Sequence, residues 1–415
     1  MKKKRLLQIN PVIRNSTSTG RIMQEIGDLA MRNGWESYIA YSKGRDGVKE
    51  SKSNILPVGN KLSVVWHGVM TRLLDRHGLA SDASTREFVE QIKSLQPDVI
   101  HIHNIHGYFL NYQILFDYLS KSGIPVIWTV HDCWLYTGHC YYYSSAGCDK
   151  WRSGCGDCPQ QRKFPSSWFV DRSAKNYQEK LQAFTSVPNH LMKIVPVSNW
   201  IQDEMRNSFL GERNFQVIHN GIDMNLFRPI DGTEIKEKYG IPAGKHIILG
   251  VASIWSKEKG WDDFMQMSEM IGEDEVIVLV GIDEKQKQAL PANIIGIART
   301  ESVEQLAQLY SVADVFVNAT WQDNYPTVNL EAIACGTPVV TYRTGGSVEA
   351  ITPQTGVIVE QGDVKGLLEA VRGIEQQGKE YYRAGCRAFA EEHFDKNKCY
   401  AEYLDLYEQM ISNKE

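Results

Sequence analysis

Residues 319–351 read ATWQDNYPTVNLEAIACGTPVVTYRTGGSVEAI, and they lie directly after the apolar run DVFVN at 314–318. Short apolar runs that end in polar loops and lead into helix-forming stretches are the pattern of stacked β-α units and parallel sheets. Within the segment, Tyr325-Pro326-Thr327 opens a helix, because proline is tolerated where the backbone N–H has no helical partner. The open N–H groups and positive dipole end then favour an anion such as a diphosphate, with Asn324, Tyr325, Pro326, Thr327 and Val328 around it. Glu331, one turn inside, suits two ribose hydroxyls, and Asp323 precedes it by eight positions. TPVVT at 337–341 is the next strand, after a turn at Gly336. Thr344-Gly345-Gly346-Ser347 then offers a second backbone nest that a ligand can approach closely.

The same alternation covers the chain on both sides of this segment. Strands are expected at 5–9, 36–41, 98–103, 124–130 and 193–197, and a second series at 246–251, 276–280, 314–318, 337–341 and 356–359. Each series makes one doubly wound α/β domain, and 415 residues are more than one core usually serves. The turn-rich stretch HNGIDMNLFRPIDG at 219–232 connects them. The expected division is 1–222, 223–395 and a terminal helix at 396–415, whose apolar face needs a partner and is expected to cross back to the first domain. In open parallel sheets ligands bind at the carboxyl ends of strands.

With 42% hydrophobic and 23% charged residues the chain is ordinary globular material. The start MKKKRLLQINPV lacks the apolar run of a signal peptide, and no stretch reaches the roughly 18 apolar residues of a membrane span, so a cytoplasmic protein with at most peripheral membrane contact is expected. The net charge of −5 conceals an asymmetry, because residues 1–200 carry 25 Lys and Arg against 16 Asp and Glu. Such a half suits an anionic surface or phosphate-bearing acceptor, or reflects solubility alone. Nucleic acid has only this bias in its favour. Without Gly-x-Gly-x-x-Gly after the first strand, a dinucleotide oxidoreductase is disfavoured, and without a Gly-x-Ser-x-Gly elbow a hydrolase lacks its nucleophile.

The segment 319–351 resembles the donor-binding core of glycosyltransferase family four, of GT-B fold, and within it the capsule and exopolysaccharide transferases. The resemblance implies two Rossmann-like domains facing across a cleft, and a retaining transfer from a UDP- or GDP-linked sugar to a glycan or lipid-linked glycan. It implies that Glu331 binds the nucleotide ribose and that Asp323, where the family usually has Glu, faces the donor sugar. In GVASIWSKEKGWDDF (250–264), Lys259-Gly260 matches the family's Lys-Gly, so Lys259 neutralises the leaving diphosphate. Ser253 stands where the family has Arg, leaving Lys257 or Arg299 to supply a second cation. The glycine loop at 11–30 matches through Gly20, with Ser18 and Thr19 beside it and Arg14 and Arg21 supplying charge; a plain β-α turn reads it equally well. His131, at the end of IPVIWTVHDCW, reaches the donor sugar with Asp132 orienting it, while His103 and Asn104 line the acceptor side. The leaving phosphate helps activate the acceptor, so no protein nucleophile or cofactor is required. Two alternatives are a partner subunit that binds nucleotide sugar without transfer and a GT-B sugar-nucleotide epimerase.

Only the Cys-rich insert stands apart from the resemblance, and the helical stripe at 61–74 leaves two readings open. Five of eight cysteines, Cys133, Cys140, Cys148, Cys155 and Cys158, fall in a Cys-rich insert at 133–165. The two-residue gap of Cys155 and Cys158 fits a zinc knuckle, with Cys140 and Cys148 completing a structural site; buried free thiols and a redox role are the other readings. In KLSVVWHGVMTRLL (61–74), Leu62, Val65, Trp66, Val69, Met70, Leu73 and Leu74 form one helical stripe. It reads first as a core helix, and alternatively as an interfacial helix with Lys61, Arg72 and Arg76 for anionic headgroups.

Overall fold

The computed structural model describes residues 3–13, 17–43 and 51–413. It divides into two compact units, Met1–His219 with Tyr400–Glu415, and Asn220–Cys399.

In the first unit the strands are β1 (Arg5–Ile9), β2 (Glu36–Ser42), β3 (Asn54–Val58), β4 (Val99–Ile102), β5 (Val126–Val130), β6 (Met192–Pro196) and β7 (Asn214–Phe215). They form one sheet in the order β3-β2-β1-β4-β5-β6-β7, and every pairing is parallel. The second unit holds β8 (His246–Val251), β9 (Glu275–Val280), β10 (Ile294–Ile297), β11 (Val315–Asn318), β12 (Val339–Tyr342) and β13 (Gly356–Val359), ordered β10-β9-β8-β11-β12-β13. In both sheets the order reverses beside the first strand, which is the doubly wound arrangement, and it creates a crevice at the strands' carboxyl ends. The central strands are apolar throughout because helices cover both sheet faces; β5 and β9 are buried at every position.

Three strands escape the sequence reading, and all lie at or near a sheet edge. Asn54–Val58 carries Pro57 and is half exposed, Asn214–Phe215 has two residues, and Ile294–Ile297 is interrupted by Gly296. Edge strands need neither a continuous apolar run nor every N–H, so their pattern is weak.

The terminal helix Lys396–Ser412 buries Tyr400, Tyr403 and Tyr407. The Tyr407 hydroxyl lies 2.6 Å from His101 Nδ1 on β4, and Thr129 on β5 donates to the Tyr403 hydroxyl at 2.9 Å. His101 Nε2 meets Thr129 Oγ1 at 2.7 Å. With the Thr129 proton committed to Tyr403, Nε2 donates and Nδ1 accepts from Tyr407, so the imidazole is neutral. Burial, followed by the charge of His131, holds its pKa well below the usual 6.5.

The helix Lys61–Leu74 corrects the core reading of its stripe. Leu62, Val65, Trp66, Val69, Leu73 and Leu74 are exposed, and the buried positions are His67, Gly68 and Thr71. The apolar periodicity was right about a helix and wrong about its inward face. Polar groups can fill that face because their bonds are made internally: Gly78 N–H donates to His67 Nε2 at 2.9 Å, and His67 Nδ1 meets Ser81 Oγ at 2.9 Å.

Candidate functional site

In the second unit the chemistry gathers at the carboxyl ends of β8, β11 and β12. After β8 the chain makes a single 3-10 turn, Lys257–Lys259, ending at Gly260 with φ of 81°. A side chain on Gly260 would come within 2.4 Å of the Ala319 carbonyl oxygen, so glycine is required where this turn meets the loop after β11. The contact is reinforced by Trp321 N–H donating to Glu258 O at 2.9 Å. So positioned, Lys259 Nζ lies 2.6 Å from Asp323 Oδ2. The other Asp323 oxygen accepts from the Asn324 N–H at 3.0 Å.

The helix opened by Tyr325-Pro326-Thr327 is present as Thr327–Ala334, with Pro326 at its N-cap and no side chain capping it. Its first-turn N–H groups therefore meet no cap side chain, and no acidic side chain stands in that turn. Asn324 and Tyr325 are buried beside it, while Thr327 and Val328 are half-buried. Glu331 is buried and its Oε2 accepts from the Tyr310 hydroxyl at 3.2 Å. The Gly345-Gly346 loop is a 3-10 turn, Gly345–Val348, with Gly345 at φ of 51°.

A buried network that the sequence reading missed joins loop and helix. Asn329 Nδ2 donates to Ser347 O at 3.1 Å, Asn318 Nδ2 donates to Asn329 Oδ1 at 2.8 Å, and Thr341 Oγ1 lies 2.8 Å from Ser347 Oγ. The available signal was a polar residue closing an apolar strand, Asn318 on β11 and Thr341 on β12. Both candidate second cations, Lys257 and Arg299, are exposed, as is Ser253, and Arg299 lies in the loop after β10.

In the first unit His131 directly follows β5 and His103 follows β4. Their rings stack, with centroids 5.5 Å apart, and His131 Nε2 lies 3.2 Å from His103 Nδ1. His103 Nε2 meets Gln8 Oε1 at 3.1 Å, while Gln8 Nε2 donates to Met23 O at 3.0 Å. Gln8 Oε1 can only accept, so His103 carries its proton on Nε2 and accepts at Nδ1. His131 must then donate from Nε2, which leaves its Nδ1 as an acceptor. Burial lowers the pKa of His131 to about 4 and that of His103 well below 6.5, so both are neutral near pH 7.

The orienting role expected of Asp132 falls instead to His103. Asp132 Oδ2 lies 2.9 Å from His106 Nε2, and its Oδ1 caps the Trp134 N–H at 2.9 Å. Burial would raise the Asp132 pKa, but the charge and bond of His106 and the Trp134 N–H together outweigh it and hold it below the ordinary range. His103, Asn104, His106, His131 and Asp132 line one concavity with Trp134.

The glycine-loop reading is altered. The helix Ser18–Arg32 is capped by Thr17, whose side chain accepts from the Gly20 N–H, so that N–H is already committed locally. Arg21 lies half-buried in the first turn of this helix, and Arg14 lies outside the described residues. Cys140, Cys148, Cys155 and Cys158 line one cavity as free thiols. Among the described residues, no group of three or more His, Cys, Asp or Glu side chains is arranged to hold a metal ion.

Comparison with known proteins places this geometry among relatives. A family model described as Glycosyltransferase Family 4 matches residues 19–226, and one described as Glycosyl transferases group 1 matches residues 245–377. The chain is 23% identical over 375 residues to the putative colanic acid biosynthesis glycosyl transferase WcaC of Escherichia coli K12, covering 88% of this chain and 89% of that one. It is 23% identical over 240 residues to the capsular polysaccharide biosynthesis glycosyltransferase CapM of Staphylococcus aureus, covering 54% and 63%. Among solved structures, it superposes on the sucrose-phosphate synthase of Thermosynechococcus elongatus with a TM-score of 0.72 at 16% identity, covering 99% and 100%. It superposes on Anabaena HepE, solved in complex with UDP, with a TM-score of 0.69 at 14% identity, covering 98% and 100%. At such identities these structures establish a shared fold.

Proposed function

The chain belongs to the group 1, family 4 glycosyltransferases of GT-B fold, and from that premise we propose that it transfers a sugar from a UDP- or GDP-linked donor to a hydroxyl of a glycan or lipid-linked glycan, retaining the anomeric configuration, in cell-surface polysaccharide synthesis. The observation that carries the reading is the placement of Lys259, held by Asp323, with a helix N-terminus that no side chain caps following in the same loop. A leaving nucleoside diphosphate develops negative charge as the glycosidic bond breaks. An ammonium already held by a neighbouring carboxylate, together with oriented backbone N–H groups, stabilises that charge without reorganisation. Colanic acid and capsular polysaccharide synthesis, named for the two relatives above, support the polysaccharide assignment. HepE, solved with UDP and with UDP-glucose, supports a nucleotide sugar as donor.

In this reading Glu331 takes the ribose, Asp323 and the Gly345-Gly346 loop meet the sugar and diphosphate, and His131 contributes a neutral imidazole whose Nδ1 accepts a hydrogen bond from a sugar hydroxyl. The transfer draws on no cofactor and no protein nucleophile; positioning and charge stabilisation supply the rate. The test is a transfer assay with a panel of nucleotide sugars and glycan acceptors, in which product carries the donor sugar only when both substrates are present. Conversion of donor without acceptor would instead mark an epimerase, and nucleotide binding without transfer a partner subunit.

A further inference from the structure

The helix Lys61–Leu74 is inverted relative to a core helix. Asn60 and Ser63 form a capping box at its start, so the helix has a defined register. In that register Leu62, Val65, Trp66, Val69 and Leu73 fall at spacings of three and four on one side, and all are exposed, Leu62 by 81% and Trp66 by 58%. The opposite side, His67, Gly68 and Thr71, is the one packed on the protein. Burial lowers the His67 pKa to about 3, so the inward face is a neutral, bonded surface with no need to turn outward.

A second segment extends the apolar face. Trp168 N–H donates to Arg72 O at 2.7 Å, fixing the turn at 164–170 against the end of the helix, and the turn is closed by Ser167 donating to Val170 O at 2.6 Å. It exposes Phe164, Trp168 and Phe169, the last by 75%. Monomeric proteins rarely present so many large apolar side chains together unless the patch is used. The two segments themselves carry only positive charge; of the acids that flank the second, Asp157 and Asp171, the latter spends its carboxylate oxygens on the Cys158 and Ser173 N–H groups. Neither residues 61–74 nor 158–170 contain an Asp or Glu, while they carry Lys61, Arg72, Arg162 and Lys163.

We propose that this face, the helix Lys61–Leu74 together with the 164–170 turn, docks the protein on an anionic lipid surface. The apolar side chains enter the acyl boundary, the two tryptophans sit at headgroup level, and Lys61 and Arg162 meet the lipid phosphates. The balance of the two segments and the acids flanking the second is positive, four cations, Lys61, Arg72, Arg162 and Lys163, against Asp157 and Asp171, which is the sign an anionic lipid surface complements.

The test is cosedimentation of the full-length protein with vesicles of phosphatidylglycerol and phosphatidylcholine in equal parts, and with phosphatidylcholine alone. Binding to the mixed vesicles is expected, weaker on phosphatidylcholine and reduced by salt. A Leu62→Ser/Trp66→Ser double variant, with its thermal unfolding unchanged because both side chains are exposed, should bind about tenfold more weakly or worse. Lys61→Glu/Arg162→Glu should lose the preference for the anionic vesicles while keeping the residual binding. Equal binding by wild type and the Leu62/Trp66 variant would overturn the proposal. So would absence of wild-type binding, or a dimer in sedimentation velocity that this variant abolishes, since that would assign the face to a second copy of the chain.

Discussion

Lys259 Nζ sits 2.6 Å from Asp323 Oδ2, joining the turn after β8 to the loop after β11. The pair is partly exposed, so it adds little to stability, and its worth lies in where it puts a positive charge. Lys259→Ala is expected to lower kcat about 10²- to 10³-fold, as loss of a preorganised charge-stabilising group does, with unfolding midpoint unchanged. Asp323→Ala should also lower kcat, by releasing Lys259. Steady-state kinetics on both variants check this; unchanged turnover in either would remove the pair from the mechanism.

The His131-His103-Gln8 chain predicts a positioning role for His103. His103→Phe keeps the aromatic volume but removes the acceptor of the His131 Nε2 proton. The expected loss is about 10- to 100-fold in kcat, the scale of a misplaced reacting group, with nucleotide affinity unchanged. The split between kcat and nucleotide affinity separates this from a packing defect, which would weaken both. In wild type His131 stays neutral down to about 4, so activity shows no imidazole titration between about pH 6 and pH 8. Phenylalanine leaves Gln8 Oε1 and the His131 Nε2 proton without their buried partner, so the melting temperature is expected to fall modestly while the pH profile keeps its lack of an imidazole titration.

Several buried imidazoles make stability depend on pH with a definite sign. Burial holds His67 at about 3 and His131 at about 4, and His77, His101 and His103 also lie well below 6.5. As pH falls through about 6.5 the unfolded chain takes up protons at these positions and the folded one does not. Their stability contribution is therefore complete above that pH and is lost towards about 4, and towards about 3 for His67, at up to about 1.4 kcal/mol per pH unit for each group. His139 opposes this: burial alone would lower its pKa, but the Asp75 carboxylate 2.7 Å away leaves it raised, so its contribution is fully present below 6.5 and is lost at higher pH. Denaturant unfolding should show a lower midpoint at about pH 5 than at about pH 8; equal midpoints would contradict the assignment.

The cysteine cavity predicts selective reactivity. Cys140 donates its S–H to Cys158, and His139 adds positive charge, so Cys158 ionises first and Cys140 last of the pair. Brief alkylation of chelator-treated protein near pH 7, read by peptide mass spectrometry, should label Cys158 ahead of Cys133, which burial pushes well up. Because these four thiols, Cys140, Cys148, Cys155 and Cys158, as placed, are not arranged to hold a metal ion, added zinc is expected to leave the labelling unchanged, and their joint protection would overturn that. Labelling that ignores zinc would contradict a structural-zinc role for the cluster.

Much of this molecule was legible in its sequence, for reasons particular to each element. Both sheet faces are covered, so β5 and β9 had to be unbroken apolar runs, and Pro326 marked the helix start because few other positions tolerate it. The edge strands were not legible, because Pro57 and Gly296 are permitted where one side is unpaired. The direction of the Lys61–Leu74 stripe was not legible either: periodicity locates an apolar face but not what it meets, and His67 packs inward only because Gly78 and Ser81 are brought to it by the fold. The partner of His131 was missed for the same reason. Asp132 is adjacent in sequence, while His103 arrives from the neighbouring strand β4.

Calorimetric titration of the purified protein with UDP, GDP and their sugars, repeated on Glu331→Ala, tests whether the second unit holds the donor nucleotide. Micromolar binding of one nucleotide to the wild type, lost in the variant, is the predicted result. Binding that survives loss of the Glu331 carboxylate, or no binding of any nucleotide to the wild type, would contradict the donor site assigned to the second unit.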